Sequence, residues 1–226
     1  LDIENANEKI KLSREKNIFT FIGDITDEEN IREVYLSIYN KFGKLNGLVN
    51  SFHFKGNSRE LDTSESFFSK IEEYPISTWD KVHDVNLKGT FISCKLAIPF
   101  LKKSSNSSIV NISSTYGIVS PNKNIYSNSN LSSPVSYASS KSGIINLSRY
   151  LATYLAEYKI RVNVLIPGGI YNNQDPDFTK KYENLTPLKR MSNPEDYHAA
   201  MIFLLSNGSS YMTGSNLVID GGWTAW

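Results

Sequence analysis

Apolar residues in this chain fall into short, nearly continuous runs separated by longer stretches in which they recur every three to four positions, and the two patterns alternate from end to end. Residues 5–16, charged but carrying Ile10 and Leu12, predict a helix, and Ile18, Phe19, Thr20, Phe21 and Ile22 predict a buried strand with Asp24 just past its end. Thr26 followed by Glu29 has the spacing of a capping box. A helical period through Ile31, Val34, Tyr35 and Ile38 follows and stops at Gly43. Residues 45–50 form the next strand, residues 53–76 a polar connection too long for an ordinary loop, and residues 78–103 a helix with Val82, Val85, Leu87, Phe91, Ile92 and Leu96 at helical spacing.

The alternation continues with a strand over 109–112, an irregular Ser/Asn/Pro-rich stretch over 120–134, a long helix over 135–158 and a β-branched strand over 160–166. Pro167, Gly168 and Gly169 stop that strand. Asn193 with Pro194 behind it opens a helix that runs through Leu205, and Leu217, Val218 and Ile219 make a last strand. Strands alternating with helices imply right-handed crossovers and an α/β fold, a Rossmann-like, doubly wound parallel sheet with both faces covered. Ligands of such sheets bind beyond the strands' carboxyl ends.

Composition narrows the choice of function. At 226 residues the chain suits one domain, residues 1–226, because single cores grow to about 250 residues before chains split. Lysine and arginine total 24 against 23 aspartates and glutamates, so no basic field exists for nucleic acid. The one cysteine, Cys94, allows no intrachain disulfide and fits a reducing, cytoplasmic address. No apolar run approaches the roughly 18 residues of a membrane span, so neither membrane nor nucleic acid is an expected partner. Asn-x-Ser/Thr triplets such as those at Asn106 and Asn184 are expected by chance in a chain rich in these residues. His83, His198 and Cys94 show no metal-ligand spacing, and no metal is expected.

The chemistry centres on Tyr137-Ala138-Ser139-Ser140-Lys141, near the start of a predicted helix. Residues four apart share a helical face, so phenol and ammonium can reach one ligand. A nearby positive charge favours the phenolate, which makes Tyr137 a candidate general acid/base. Taken alone, a tyrosine and a lysine so spaced are more often a helix-end packing residue and a solvated charge.

Further motifs stand around the pair: Asn86 in VNLKGTF, Ile109-Val110-Asn111-Ile112-Ser113-Ser114, Arg161-Val162-Asn163 before Pro167-Gly168, and Ile219-Asp220-Gly221-Gly222-Trp223. Together, in this order, they resemble the short-chain dehydrogenase/reductase family over nearly the whole chain. The resemblance implies hydride transfer between a nicotinamide cofactor and a carbonyl/alcohol. In it Tyr137 is the proton donor or acceptor, and Lys141 lowers its pKa and holds the nicotinamide ribose. Ser114, aligned by Gly117, bonds the reacting oxygen, with Ser113 as second choice. Asn86 sits in a distorted helix and holds a water that links Lys141 to solvent, or is simply a buried helical asparagine.

The same resemblance places Asp24, with Ile25 beside it, at the adenine, Asn50 along the adenosine ribose, and Pro167, Gly168 and Ile170 around the nicotinamide. Asp24 can also be read as a helix-capping residue and Asn50 as a strand-end turn residue. If Leu1-Asp2-Ile3 ends a strand, the Asp2 carboxylate accepts from both ribose hydroxyls and repels a 2′-phosphate, favouring NAD over NADP. Relatives assemble as dimers or tetramers through the helices after Thr78 and Val135, so an oligomer is expected here.

Departures from the family pattern matter as well. No glycine-rich TGxxxGxG turn is present, and by analogy about 30 residues, the strand and turn of one βαβ unit, are expected upstream of Leu1; together with the lack of an initiator Met, this reads as a fragment rather than a true truncation. Ser51-Phe52-His53 replaces the usual Asn-Ala-Gly, which gives His53 a substrate-loop or surface role. The stretch between Ser114 and Tyr137 is longer than in short relatives, and its Tyr126, Asn128 and Asn130 could meet a polyhydroxylated substrate or line a solvated loop. This insertion, with Asn172 where a threonine is customary, is similar to the flagellin modification protein A-like subgroup of bacterial surface-glycan pathways and implies a sugar or sugar-nucleotide substrate. Two other readings stay open: a non-catalytic dinucleotide-binding scaffold or sensor, and an epimerase or dehydratase that works through a keto intermediate.

Overall fold

Four short strands pair in parallel in the order β1 (Gly47–Asn50), β2 (Ser108–Ile112), β3 (Arg161–Pro167) and β4 (Asn216–Ile219) in a computed structural model that describes residues 18–54, 67–126 and 133–226. The register sets Asn50 opposite Asn111 and Val164 opposite both Asn111 and Asn216. Successive side chains point to opposite faces, so Ile109 and Val162 join a core with helices α1 (Glu28–Phe42), α3 (Gly89–Leu101) and α4 (Val135–Leu155). Val110 and Leu165, an odd number of residues along from Ile109 and Val162, face the other way, against Ala200 and Leu204 of α6 (His198–Leu205). Each fully buried Ile or Leu contributes about 1.5–3 kcal/mol, and a one-residue slip would turn both sets outward. This is the doubly wound parallel sheet that the alternation predicts.

Polar groups cross this core in a continuous chain. Ser93 Oγ donates to Asn50 Oδ1 at 2.6 Å, Asn50 Nδ2 to Asn111 Oδ1 at 2.8 Å, and Asn111 Nδ2 to Ser148 Oγ at 2.9 Å. Ser93 spends its proton on Asn50, so the Tyr35 hydroxyl, 2.9 Å away, donates to it. A satisfied buried network of this kind permits one relative placement of β1, β2, α3 and α4.

Several elements differ from the sequence expectation. Residues 18–22 form no named strand, and Ile18, Phe19 and Ile22 are about half exposed, at 46%, 48% and 56%. Within this run Ile22 forms a single β-bridge, and Phe19 meets Phe42 edge-on at 5.3 Å. The cap of α1 is Asp27, which accepts from Asn30 N, while Thr26 gives both its N–H and its hydroxyl to Asp24. Gly43 ends α1 with φ of 70°, as expected of a left-handed terminal glycine.

The helix expected over 78–103 is α2 (Ile76–His83), a π-helical turn over Asp84–Lys88, and α3. Helix α5 (Pro176–Leu185) was not anticipated, although Asp175 caps it and Pro176 opens it. The expected helix over 5–16, the Leu1-Asp2-Ile3 strand, Asn128 and Asn130 lie outside the described residues. No described helix is long and apolar enough to cross a membrane.

Candidate active site

The carboxyl ends of β1, β2 and β3 and the first turns of α4 open on one rim of the sheet. Tyr137 and Lys141 lie one turn apart on α4, with Lys141 Nζ 5.7 Å from the Tyr137 ring centre. Ser114, two residues beyond β2, caps the short turn Thr115–Gly117, and its hydroxyl also bonds the Tyr137 side chain. Ser113 points elsewhere. Its Oγ donates to the backbone carbonyl of Lys141 at 2.7 Å.

Gly117 explains how the β2 turn comes so close to α4. A Cβ there would lie 2.6 Å from Ser113 Oγ and 3.0 Å from the Lys141 carbonyl carbon and oxygen, so a side chain at this position would force the two apart.

Burial dominates the electrostatics. It pushes the Tyr137 phenol above its usual range, and the Ser114 hydrogen bond pulls it back. Lys141, only 2% exposed, is pushed down to about 8 by the same desolvation. In the protein by itself the phenol is held protonated, the form that can give a proton to a carbonyl oxygen.

Asn86 is completely buried inside the π-turn, the local distortion expected there. Its Oδ1 accepts from Phe54 N at 2.7 Å and its Nδ2 donates to Ser140 Oγ at 3.0 Å. Ser140 passes its own proton to the Tyr137 carbonyl at 2.8 Å. The loop after β1 and the start of α4 are thus joined through one amide.

The remaining positions surround this centre. Asp24 accepts from Thr26 N at 2.8 Å and Oγ1 at 2.7 Å, which holds its carboxyl below the usual range, and Ile25 is buried in the core beside Gly89. Asn50 is 4% exposed with its amide engaged in the polar chain, so its backbone, rather than its side chain, is what β1 offers at its end. Pro167 ends β3, Gly168 donates to Ile219 O at 2.9 Å, and Ile170 bridges to Ser192. Asp2 is outside the described residues. His83 stacks on Trp79 and contacts Ser139 Oγ at 3.0 Å.

Two contributors escaped the sequence reading. Tyr182 on α5 accepts from Gly169 N at 2.6 Å and fixes the turn after β3. Its signal was Phe178, Tyr182 and Leu185 at helical spacing behind Asp175-Pro176. Tyr116 lies with its hydroxyl 3.2 Å from that of Tyr126, and burial, with Tyr126 and Tyr137 nearby, disfavours its ionisation. Nothing in the linear pattern marks Tyr116.

Residues 2–224 match the family model described as enoyl-(acyl carrier protein) reductase. The chain belongs to the short-chain dehydrogenase/reductase family. It is an oxidoreductase of that family, acting on a carbonyl/alcohol pair. It is 33% identical over 210 residues to post-translational flagellin modification protein A of Campylobacter coli, covering 92% of this chain and 78% of that protein. It is 34% identical over 233 residues to the NADH-dependent L-xylulose reductase of Ambrosiozyma monospora, covering 98% and 78%. Among solved structures, a short-chain dehydrogenase from Leptospira borgpetersenii with bound NAD+ superposes with a TM-score of 0.80 at 38% identity, covering 90% of this chain and 74% of that one.

The short-chain dehydrogenase site here fits a nicotinamide ribose on its own chemistry. Lys141 Nζ has three donors, and among the described residues it donates to Ile112 O at 2.9 Å, which leaves donors for a diol beside the phenol.

Proposed function

We propose that the protein transfers hydride between a nicotinamide dinucleotide, NAD in preference to NADP, and a carbon bearing a carbonyl or hydroxyl on a sugar or sugar-nucleotide. The observation that carries the reading is the grouping of the Ser114 hydroxyl and the buried Lys141 ammonium around Tyr137. The cofactor supplies or accepts the hydride when bound. Ser114 orients the substrate oxygen, and Tyr137 delivers its proton to that oxygen in reduction and takes it back in oxidation. Lys141 holds the ribose hydroxyls, and Asn86 keeps the loop after β1 against α4.

Asp24, Ile25 and the end of β1 at Asn50 receive the adenosine half in this reading, and Pro167, Gly168 and Ile170 the nicotinamide. Asp2 selects NAD by accepting from the ribose diol. The polyhydroxylated substrate class is supported by the Campylobacter flagellin-modification relative, the L-xylulose reductase relative and the phenols of Tyr116 and Tyr126. The buried thiol of Cys94 suits a reducing cytoplasm. The exposed aromatics Phe91 on α3 and Tyr150 and Tyr154 on α4 support assembly as a dimer or tetramer through these helices, which sedimentation of the protein tests.

The deciding experiment follows NADH and NADPH oxidation with a panel of ketoses and keto-sugar nucleotides, for wild type and Tyr137→Phe. Turnover with NADH that falls at least about 100-fold in the variant, with circular dichroism unchanged, supports the mechanism. A Tyr137→Phe protein as active as wild type overturns it. A catalytic efficiency higher with NADPH overturns the role given to Asp2.

A further inference from the structure

We infer that His53 selects the substrate, its imidazole hydrogen-bonding a hydroxyl on the carbon next to the one that reacts at Tyr137. This rests on the oxidoreductase reading above and adds to it a residue and a rule of preference. The His53 ring meets the Tyr137 ring edge-on, with centres 6.1 Å apart and planes at 72°. The imidazole thus lies against the side chain that carries the reacting proton in this reading.

The approach is built into the backbone. Phe54, the next residue, donates its N–H to Asn86 Oδ1 at 2.7 Å, Asn86 Nδ2 donates to Ser140 Oγ at 3.0 Å, and Ser140 Oγ donates to the Tyr137 carbonyl at 2.8 Å. Three hydrogen bonds therefore run from the residue after His53 to the carbonyl of Tyr137 itself. On the other flank Phe52 packs into the core against Gly89, where a Cβ would come within 3.2 Å of its ring. Phe52 and Phe54 are half-buried while His53 between them is exposed, so the loop is held at both neighbours and presents the imidazole at the rim.

Chemistry then narrows what the imidazole meets. An imidazole has two ring nitrogens, and one of them is enough to bond a hydroxyl, which both donates and accepts. A site built to bond a hydroxyl rejects the analogue that lacks it far more strongly than an apolar pocket rejects an added one. The preferred substrates are accordingly α-hydroxyketones in reduction and vicinal diols in oxidation.

The test compares dihydroxyacetone and L-xylulose with butanone as NADH-dependent substrates of the wild-type, His53→Phe and His53→Asn proteins. Phenylalanine keeps a ring against Tyr137 but has no hydrogen-bonding atom, whereas asparagine keeps a donor and an acceptor. The ratio of kcat/KM for hydroxyketone over butanone should fall at least about tenfold in His53→Phe, mainly through KM, and recover in part in His53→Asn. An unchanged ratio, or a fall in kcat shared by all three ketones, overturns the inference and leaves a packing role.

The corresponding preference in binding is read without turnover by ligand-observed NMR of the three ketones on the Tyr137→Phe protein with NADH. A hydroxyketone preference lost on adding His53→Phe supports the selection, and no preference overturns it. Wild-type turnover of Tyr137→Phe would instead defeat the underlying oxidoreductase mechanism, so the two failures are distinguishable.

Discussion

The side-chain amide of Asn86 donates to the Ser140 hydroxyl at 3.0 Å, and through this bond the π-turn between α2 and α3 is tied to the helix that bears Tyr137 and Lys141. The amide oxygen is committed as well, to Phe54 N, and the residue is completely buried. A loop, a distorted turn and a helix start meet at one side chain.

Replacing Asn86 by Ala leaves the Phe54 N–H and the Ser140 hydroxyl without this partner. Stability should drop by about 1–3 kcal/mol, the cost of orphaned buried polar groups, while the fold persists. Turnover should fall as well, because the loop carrying His53 is no longer held against α4. Urea denaturation and initial rates check both, and wild-type values in the two assays would remove Asn86 from the site.

Gly117→Ala introduces a methyl 2.6 Å from Ser113 Oγ and 3.0 Å from the Lys141 backbone. Most of that contact is backbone, which cannot swing aside, so the expected loss is about 1–3 kcal/mol of stability. Activity should fall because Ser114 and α4 are pushed apart. A thermal melt equal to wild type would show that the β2 turn relaxes freely.

Lys141 gives the fold a pH dependence of known sign. Burial holds its folded pKa at about 8, against an ordinary value of 10.5. Between these values the unfolded chain binds the additional proton, so stability rises with pH across that window, and below about 8 the cost of burying the charge is complete. The stability of wild type relative to Lys141→Met should therefore be flat at neutral pH and increase toward pH about 10. Chemical denaturation of the two proteins across this range measures it, and a difference that declines with pH contradicts the burial.

Tyr182→Phe removes the acceptor of the Gly169 N–H. The turn after β3 should loosen, with KM for the nicotinamide cofactor raised about three- to tenfold and kcat less affected. Equal cofactor KM in both proteins would show that Gly168 and Ile170 are held without α5.

Motif residues in this chain turn out to serve two ends. Arg161 and Asn163, part of the pattern that carried the family resemblance, bond the Leu204, Ser206 and Met212 carbonyls and join β3 to the α6 region. Asn111 does the same between β1 and α4. The order of such residues along the chain was legible because each sits at a strand end or on a helix face whose period is local. Which of them faces a ligand and which faces the core was not, since that depends on neighbours distant in sequence.

Hydrophobic period, turn residues and residue spacing were enough to determine a parallel, doubly wound sheet, the helix stop at Gly43 and the pairing of Tyr137 with Lys141 on one helix face, while the distortion at Asn86 was implied only by the family resemblance. The first three follow from local backbone geometry. Tertiary structure alone decided that burial raises the Tyr137 phenol, that Ser113 turns to the Lys141 carbonyl, and that His53 stands against Tyr137. Desolvation, hydrogen bonding and ring contact are properties of what surrounds a residue, and for these residues the surroundings come from segments far away in the chain.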